Sequence, residues 1–90
     1  METEATLRKR LSMRAWRRGM REMDLILGPY ADAHLAGMDT GLLAQFDALL
    51  DQNDQDLLPW VLGQRPRPEA FAVLLDHIAV SAGARLAGRD

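Results

Sequence analysis

The chain has 90 residues and no cysteine, with 48% hydrophobic and 27% charged residues. This length allows one small domain, and this composition is typical of a soluble globular protein. The missing cysteine excludes a disulfide scaffold, a thiolate metal site and a cysteine nucleophile. Since no apolar run could cross a membrane and no secretory signal leads the chain, we expect a protein of the bacterial cytoplasm, or of the mitochondrial matrix in a eukaryote.

Charge is unevenly distributed along the chain, although the net charge is only −2. Residues 1–22 contain seven basic and three acidic side chains, whereas residues 23–90 contain four basic and ten acidic ones. Such asymmetry bears on binding partners and association rather than on fold. One end of the protein is therefore expected to present a basic surface.

Strand-forming patterns are absent and helix formers fill every segment, which predicts an all-α fold, a small single-domain five-helix bundle. The first two helices are predicted at 4–17 and 18–36, with an interruption at Gly19. Pro29 lies inside the second helix. It should kink or break that helix, because proline lacks an amide donor and clashes with the preceding turn.

The third helix is predicted at 41–51, after a turn and N-cap at Asp39. Apolar residues at i, i+4 and i+7 form its inward stripe, and these are Leu42, Phe46 and Leu49. The pattern is that of a short amphipathic helix.

A short fourth helix should follow a cap at Asn53-Asp54 and end at Gly63, with Trp60 as its core anchor. After a proline-containing linker, the fifth helix is predicted at 68–82. Pro68 suits its first turn.

We expect one helical domain over residues 1–90, without internal repeats. Its ends are predicted to fray at about 1–4 and 84–90, since glycines interrupt the C-terminal tail.

Motifs that carry catalytic chemistry are missing from the sequence. His34 and His77 have no neighbouring residue at metal-ligand spacing, and the acidic stretch 51–56 lacks the glycine that a calcium loop needs. Neither a serine elbow nor a glycine-rich phosphate loop is present. These absences predict a protein that is not an enzyme and has no catalytic or metal-binding residues.

One stretch stands out, Arg17 to Asp24, which reads R-R-G-M-R-E-M-D. In a helix, Arg18 and Glu22 would lie one turn apart, and an exposed ion pair there would contribute only about 0.3–0.5 kcal/mol. Gly19 in a helix would cost roughly 1 kcal/mol relative to alanine. The glycine therefore indicates a turn or a surface that another backbone approaches, although a solvated basic face with an incidental glycine explains these residues equally well.

This stretch resembles the R-G-x-x-E signature of the FAD assembly factors of succinate dehydrogenase, the SdhE-type family. The family also has a proline shortly afterwards (Pro29), an L-x-x-(F/L)-x-x-L-L stretch (42–50) and a D-x-D-L-(L/F/Y)-x-W turn (54–60). The resemblance covers about residues 7–80. Residues 64–68 and the tail after Gly83 follow no pattern of the family.

The resemblance implies an assembly factor that binds the flavoprotein subunit of succinate dehydrogenase, or of fumarate reductase in some bacteria, and promotes its covalent flavinylation. FAD, the histidine that receives it and the redox chemistry belong to the partner, so we expect no tightly bound cofactor and a monomer when the chain is free. The residues expected to bind the partner surround the signature, and they are Arg14, Trp16, Arg17, Arg18, Gly19, Met20, Arg21 and Glu22. For Trp16, packing between the first and fifth helices is an equally good interpretation.

A nucleic-acid-binding helical module is the alternative. If the first two helices were continuous, four arginines would form one stripe suited to phosphates, namely Arg10, Arg14, Arg17 and Arg21. The acidic remainder of the chain and a pI near 5.6 argue against it. We therefore expect no nucleic-acid partner and no membrane insertion.

Overall fold

The computed structural model describes residues 2–87, with side chains through residue 83, and this part of the chain contains five α-helices and no strand. Two short 3-10 helices, 35–37 and 69–71, precede α3 and α5. The helices are α1 (Glu4–Trp16), α2 (Arg21–His34), α3 (Thr40–Leu50), α4 (Asp54–Val61) and α5 (Ala72–Ala87). The predicted all-α fold is confirmed.

The central element is α2, which packs against α1, α4 and α5, while α1 also packs against α3. Each helix turns an apolar face towards one shared core. The large side chains that are almost completely buried there are Leu11, Met23, Leu27, Tyr30, Leu43, Phe46, Leu49, Leu57, Leu75 and Ile78. Apart from Tyr30, no residue with a polar or charged side chain is buried in the described part of the chain.

The helix α2 continues through Pro29, so the predicted break is wrong, whereas the alternative of a kink stays a prediction. A proline in a helix interior costs about 3 kcal/mol. The residues on both sides of it, Gly28 and Tyr30, are buried against the core. Tertiary packing therefore holds this segment helical against the local preference of the proline.

The apolar stripe of α3 is rotated relative to the prediction. Leu42 is 42% exposed, whereas Leu43 is fully buried with Phe46 and Leu49. The N-cap at Asp39 is confirmed, since its carboxylate accepts a hydrogen bond of 2.8 Å from the amide of Leu42.

The last helix begins later and ends later than predicted. Pro68 precedes the 3-10 helix, and α5 starts at Ala72 and runs to Ala87. Residues 1 and 88–90 of the predicted frayed ends lie outside the described residues. The fraying itself stays a prediction.

Candidate docking surface at the turn between the first two helices

The signature motif does not lie within one helix. Trp16 ends α1 and Arg21 begins α2, so the motif starts in a turn formed by residues 17–20. Gly19 has a φ of +88°, a left-handed conformation that favours glycine. The carboxylate of Asp24 closes the turn by accepting a 2.6 Å hydrogen bond from the amide of Arg18. The helix interruption predicted at Gly19 is confirmed.

The side chain of Arg18 points into the molecule and is only 11% exposed. Its Nε donates to Asp54 Oδ1 at 2.9 Å, and its two terminal nitrogens donate to the backbone carbonyls of Leu50 and Gln52. The three acceptors lie close together in the chain: Leu50 is the last residue of α3, Gln52 is in the connection, and Asp54 is the first residue of α4. The planar guanidinium thus fastens the motif turn to a second turn more than 30 residues away in sequence.

The ion pair between Arg18 and Glu22 that a continuous helix would allow does not form. Arg18 lies outside the helix, and its guanidinium is occupied by Asp54 and two carbonyls. Glu22 lies in the first turn of α2, is exposed, and forms no ion pair with the described residues. The two charged residues of the signature thus have opposite environments, one mostly buried and one open to solvent.

A shallow groove of about 450 Å³ separates the two turns. It is lined by Arg18, Gly19, Met20, Asn53, Asp54 and Gln55. A side chain at Gly19 would meet no atom within 4 Å, so the backbone of the turn faces open space. This arrangement leaves space for another backbone to approach the turn, which is one of the two interpretations of Gly19 that the sequence left open.

Unpaired positive charge is found at the motif turn, at the start of α2 and on α1. Among the residues whose side chains are described, every arginine except Arg17 and Arg21 forms an ion pair, and Lys9 forms none. Lys9, Arg17 and Arg21 are all exposed. Exposed, unpaired side chains are available to a partner without the loss of internal contacts.

Two further predicted residues lie beside the turn and already have internal partners. Arg14 donates to Asp47 at 2.5 Å and to Asp51 at 2.7 Å, which ties α1 to α3. Trp16 packs its ring on Gly28 and donates from Nε1 to the carboxylate of Asp32 at 3.2 Å. The indole thus packs between α1 and α2, and the interpretation of packing against the fifth helix is wrong.

Three aromatic rings meet at the other end of α2, which sequence spacing did not indicate. Tyr30 OH and His77 Nδ1 are 2.7 Å apart, and the rings of His34 and His77 are 4.8 Å apart between centroids. Burial raises the pKa of Tyr30. In the part of the chain that is described, no three histidine, aspartate or glutamate side chains form a group that could hold a metal ion.

Asn53, Asp54 and Gln55 line the groove but were not predicted as site residues. The stretch 54–60 was recognised as a family pattern, and this was the available signal. Its pairing with Arg18 could not be predicted because no local spacing links positions 36 residues apart.

Comparison with known protein families gives a match over residues 9–81, to a family model described as the flavinator of succinate dehydrogenase, Sdh5. The matched range contains the motif turn, both α3 and α4, and most of α5. None of the helices in the described range is long and apolar enough to cross a bilayer.

Curated relatives agree with this match. The chain is 43% identical over 68 residues to the mitochondrial succinate dehydrogenase assembly factor 2 of Schizosaccharomyces japonicus, covering 76% of this chain and 48% of the relative. Proteins of the same name from Cryptococcus neoformans and Schizosaccharomyces pombe are 43% and 37% identical over 67 and 70 residues. These matches cover 74% and 78% of this chain, and 38% and 50% of the relatives. The chain thus spans about half the length, or less, of these three relatives.

Proposed function

This chain belongs to the family of the flavinators of succinate dehydrogenase, and from that membership we propose that it binds the flavoprotein subunit of succinate dehydrogenase and promotes covalent attachment of FAD to it. In this proposal the FAD and the histidine that receives it belong to the flavoprotein. The chain acts as a binding partner rather than as an enzyme, and holds no cofactor of its own tightly.

The observation that best supports this proposal is the concentration of unpaired charge at the motif turn. Arg17, Arg21 and Glu22 are exposed and form no ion pair with any described residue. Elsewhere in the described chain, arginines are matched with carboxylates. An arginine without a local carboxylate is suited to forked hydrogen bonds with carboxylates or carbonyls of a partner.

The predicted site residues then divide into two roles. Arg17, Gly19, Met20, Arg21 and Glu22 form the surface that meets the flavoprotein, with Arg14 and Trp16 at its margin. Arg18 acts as a positioning residue, since its guanidinium holds the turn against the start of α4.

The relatives are named as mitochondrial proteins. We propose that this chain works where the flavoprotein subunit is completed, which is the mitochondrial matrix in a eukaryote and the cytoplasm in a bacterium. We extend the proposal to the flavoprotein subunit of fumarate reductase in some bacteria, which the family resemblance implies.

The proposed function is tested by measuring covalent flavin on the flavoprotein subunit in cells that lack this chain. Flavin fluorescence of the denatured subunit on a gel reports the covalent bond, and immunoblotting reports the amount of polypeptide. We expect the deletion to lower fluorescence at constant polypeptide, and the wild-type chain to restore it. Unchanged fluorescence in the deletion strain would overturn the proposal.

The surface assignment is tested separately by Glu22→Gln, with Glu69→Gln as its matched control. Both glutamates are exposed and form no ion pair with the described residues, but Glu69 lies before α5. We expect Glu22→Gln to lose most of the restored fluorescence and Glu69→Gln to keep it. Equal restoration of covalent flavin by both variants would show that Glu22 is not part of the surface that binds the flavoprotein.

The nucleic-acid alternative loses its main support in the structure. The first two helices are separate, and Arg10 and Arg14 are paired with carboxylates. Gel shift of duplex DNA and RNA by the purified chain tests it directly. Tight, salt-sensitive binding that Glu22→Gln strengthens, with flavinylation unaffected, would favour it over our proposal.

A further inference from the structure

A second groove runs along the outer face of α1 and has a volume of about 460 Å³. Its lining residues recur every three or four positions, so they share one face of the helix. We name this surface the α1 groove, and it is lined by Thr6, Lys9, Arg10, Met13, Arg14 and Arg17.

The four basic residues of the α1 groove are not equivalent. Arg10 is paired with Glu2 and Asp47, and Arg14 with Asp47 and Asp51. Lys9 and Arg17 form no ion pair with the described residues. The unpaired charge of the groove therefore comes from two side chains, one towards each end of its length.

Between these two cations lies an apolar contact point. Met13 is four residues from both Lys9 and Arg17, and 47% of it is exposed. Lys9 lies in α1 and Arg17 is the residue that directly follows this helix, so a rise of 1.5 Å per residue places their Cα atoms about 12 Å apart along the axis, with Met13 between them. Methionine is flexible and polarizable, and adapts to irregular apolar surfaces of a partner.

From this pattern we infer that the α1 groove docks an acidic segment of the flavoprotein, in which two carboxylates flank an apolar side chain. This inference rests on the proposed function and extends the docking surface from the motif turn along α1, with Arg17 common to both. Lys9 and Met13, which lie outside the motif, become partner-binding residues.

The charge pattern favours such a segment over a nucleic acid. Two separate cations with a thioether between them match two discrete carboxylates, whereas a nucleic acid presents a continuous row of phosphates. Asp47 also lies beside the groove with its carboxylate on Arg10 and Arg14, and it reduces the positive field that a polyanion needs.

Lys9 is the only lysine of the chain, which permits a sharp test. A carbodiimide joins an amine directly to a carboxylate that contacts it, with loss of water to the reagent. We expect the full-length chain and the purified flavoprotein lacking covalent FAD to form an amide between Lys9 and an aspartate or glutamate, identified by mass spectrometry. Lys9→Arg should remove this cross-link, because a guanidinium does not form the amide.

Affinity provides the second measurement. Lys9→Glu should raise the dissociation constant about tenfold at low salt, with a smaller effect at high salt. Its control, Arg65→Glu, makes the same charge change at an exposed residue that pairs with Asp56 and lies in the connection after α4, and it should have little effect. Met13→Ser should raise the constant several-fold at either salt concentration, whereas Val73→Ser, at an 82% exposed position on α5, should not.

The possible outcomes separate the two proposals. If the wild-type chain binds the flavoprotein and restores covalent flavin, but Lys9 forms no cross-link and Lys9→Glu binds like Arg65→Glu, the α1 groove is not a docking site and the proposed function stands. If the wild-type chain neither binds nor restores flavin, both proposals fall. Duplex DNA binding that Lys9→Glu abolishes, without a change in flavoprotein affinity, would assign the groove to a nucleic acid and overturn the inference.

Discussion

The indole ring of Trp16 covers Gly28 so closely that α2 has no room for a side chain at this position. A Cβ atom at Gly28 would lie 2.3 Å from ring atom Cδ2. Because Gly28 is helical, the requirement for glycine comes from this contact rather than from backbone conformation. The end of α1, directly before the motif turn, is therefore positioned by a glycine in the middle of α2.

Gly28→Ala is expected to destabilise the protein although alanine is the better helix former. The gain in helix propensity is about 1 kcal/mol, whereas displacement of a packed indole typically costs 1–3 kcal/mol and also weakens the Trp16–Asp32 hydrogen bond. Urea unfolding measures the net loss. Gly83→Ala on α5 is the control, since nothing lies within 4 Å of its Cβ position, and it should leave stability unchanged or raise it.

Arg18→Ala is expected to lower the free energy of unfolding by about 2–4 kcal/mol, because Asp54 and two backbone carbonyls lose a shared donor in a mostly buried place. Arg18→Lys should recover only part of this loss, since an ammonium cannot reproduce the fork of the guanidinium. Arg17→Ala is the control and should stay within about 0.5 kcal/mol of the wild type, as Arg17 is exposed. Equal stabilities of Arg18→Ala and Arg17→Ala would contradict the positioning role.

Gly19→Arg has a matched control in Gly63→Arg. Both glycines have positive φ, +88° and +73°, and nothing lies within 4 Å of either Cβ position. Each substitution should cost about 1–2 kcal/mol from the left-handed backbone conformation, which lowers the melting temperature of a domain this small by several degrees. Only Gly19→Arg should abolish the restoration of covalent flavin in cells. Loss of restoration by both variants would trace the defect to stability.

Gly19→Asn refines this comparison because asparagine tolerates the left-handed conformation better than other residues with a side chain. We expect the melting temperature of Gly19→Asn to be closer to that of the wild type than the melting temperature of Gly19→Arg. We also expect Gly19→Asn to restore part of the covalent flavin, because its side chain is smaller and obstructs the partner less. Thermal melts of the purified variants, and gel fluorescence of the flavoprotein subunit from cells that carry each variant, provide the comparison.

Alkaline pH should destabilise the protein through Tyr30. Burial raises the pKa of its phenol above the ordinary value of 10.0, so the folded state disfavours the tyrosinate that the unfolded chain forms readily. Stability is thus unaffected by this group below pH 10.0 and falls as the pH rises through the pKa of the folded state.

Tyr30 is the only tyrosine, so tyrosinate absorbance during a pH titration reports it alone. Tyr30→Phe should remove this alkaline loss, and should cost about 0.5–1.5 kcal/mol at neutral pH for the missing hydrogen bond to His77.

Local patterns predicted the parts of the fold that depend on neighbouring residues. The Asp39 cap and the glycine turn follow from the chemistry of a few consecutive positions, and both are present. The break at Pro29 was wrong because burial of the surrounding helix outweighs the local preference of proline. The orientation of Leu42 was wrong because Leu42 and Leu43 are both apolar, and the sequence alone does not say which one faces the core.

The features of the site that the sequence did not predict are contacts between residues that are distant along the chain. The charge and spacing of Arg18 suggested an exposed helical residue, and only the folded chain brings it to Asp54. The same limit applies to His34 and His77, which are distant in sequence and adjacent in space. The partner-binding roles of the predicted residues stay predictions.

The hydrogen bonds of Arg18 to Leu50, Gln52 and Asp54 also limit which fragments of this protein can bind the flavoprotein with an ordered motif turn. A peptide that ends before residue 39 would contain the whole signature and both helices around it, yet it would lack every acceptor that fixes the Arg18 guanidinium. The motif turn of this peptide would sample many conformations. Binding to the flavoprotein would then have to order the turn, and the loss of conformational entropy would weaken the affinity. A minimal inhibitor or mimic of this chain would therefore need residues 50–54 as well, or a covalent cross-link that holds the motif turn in their place.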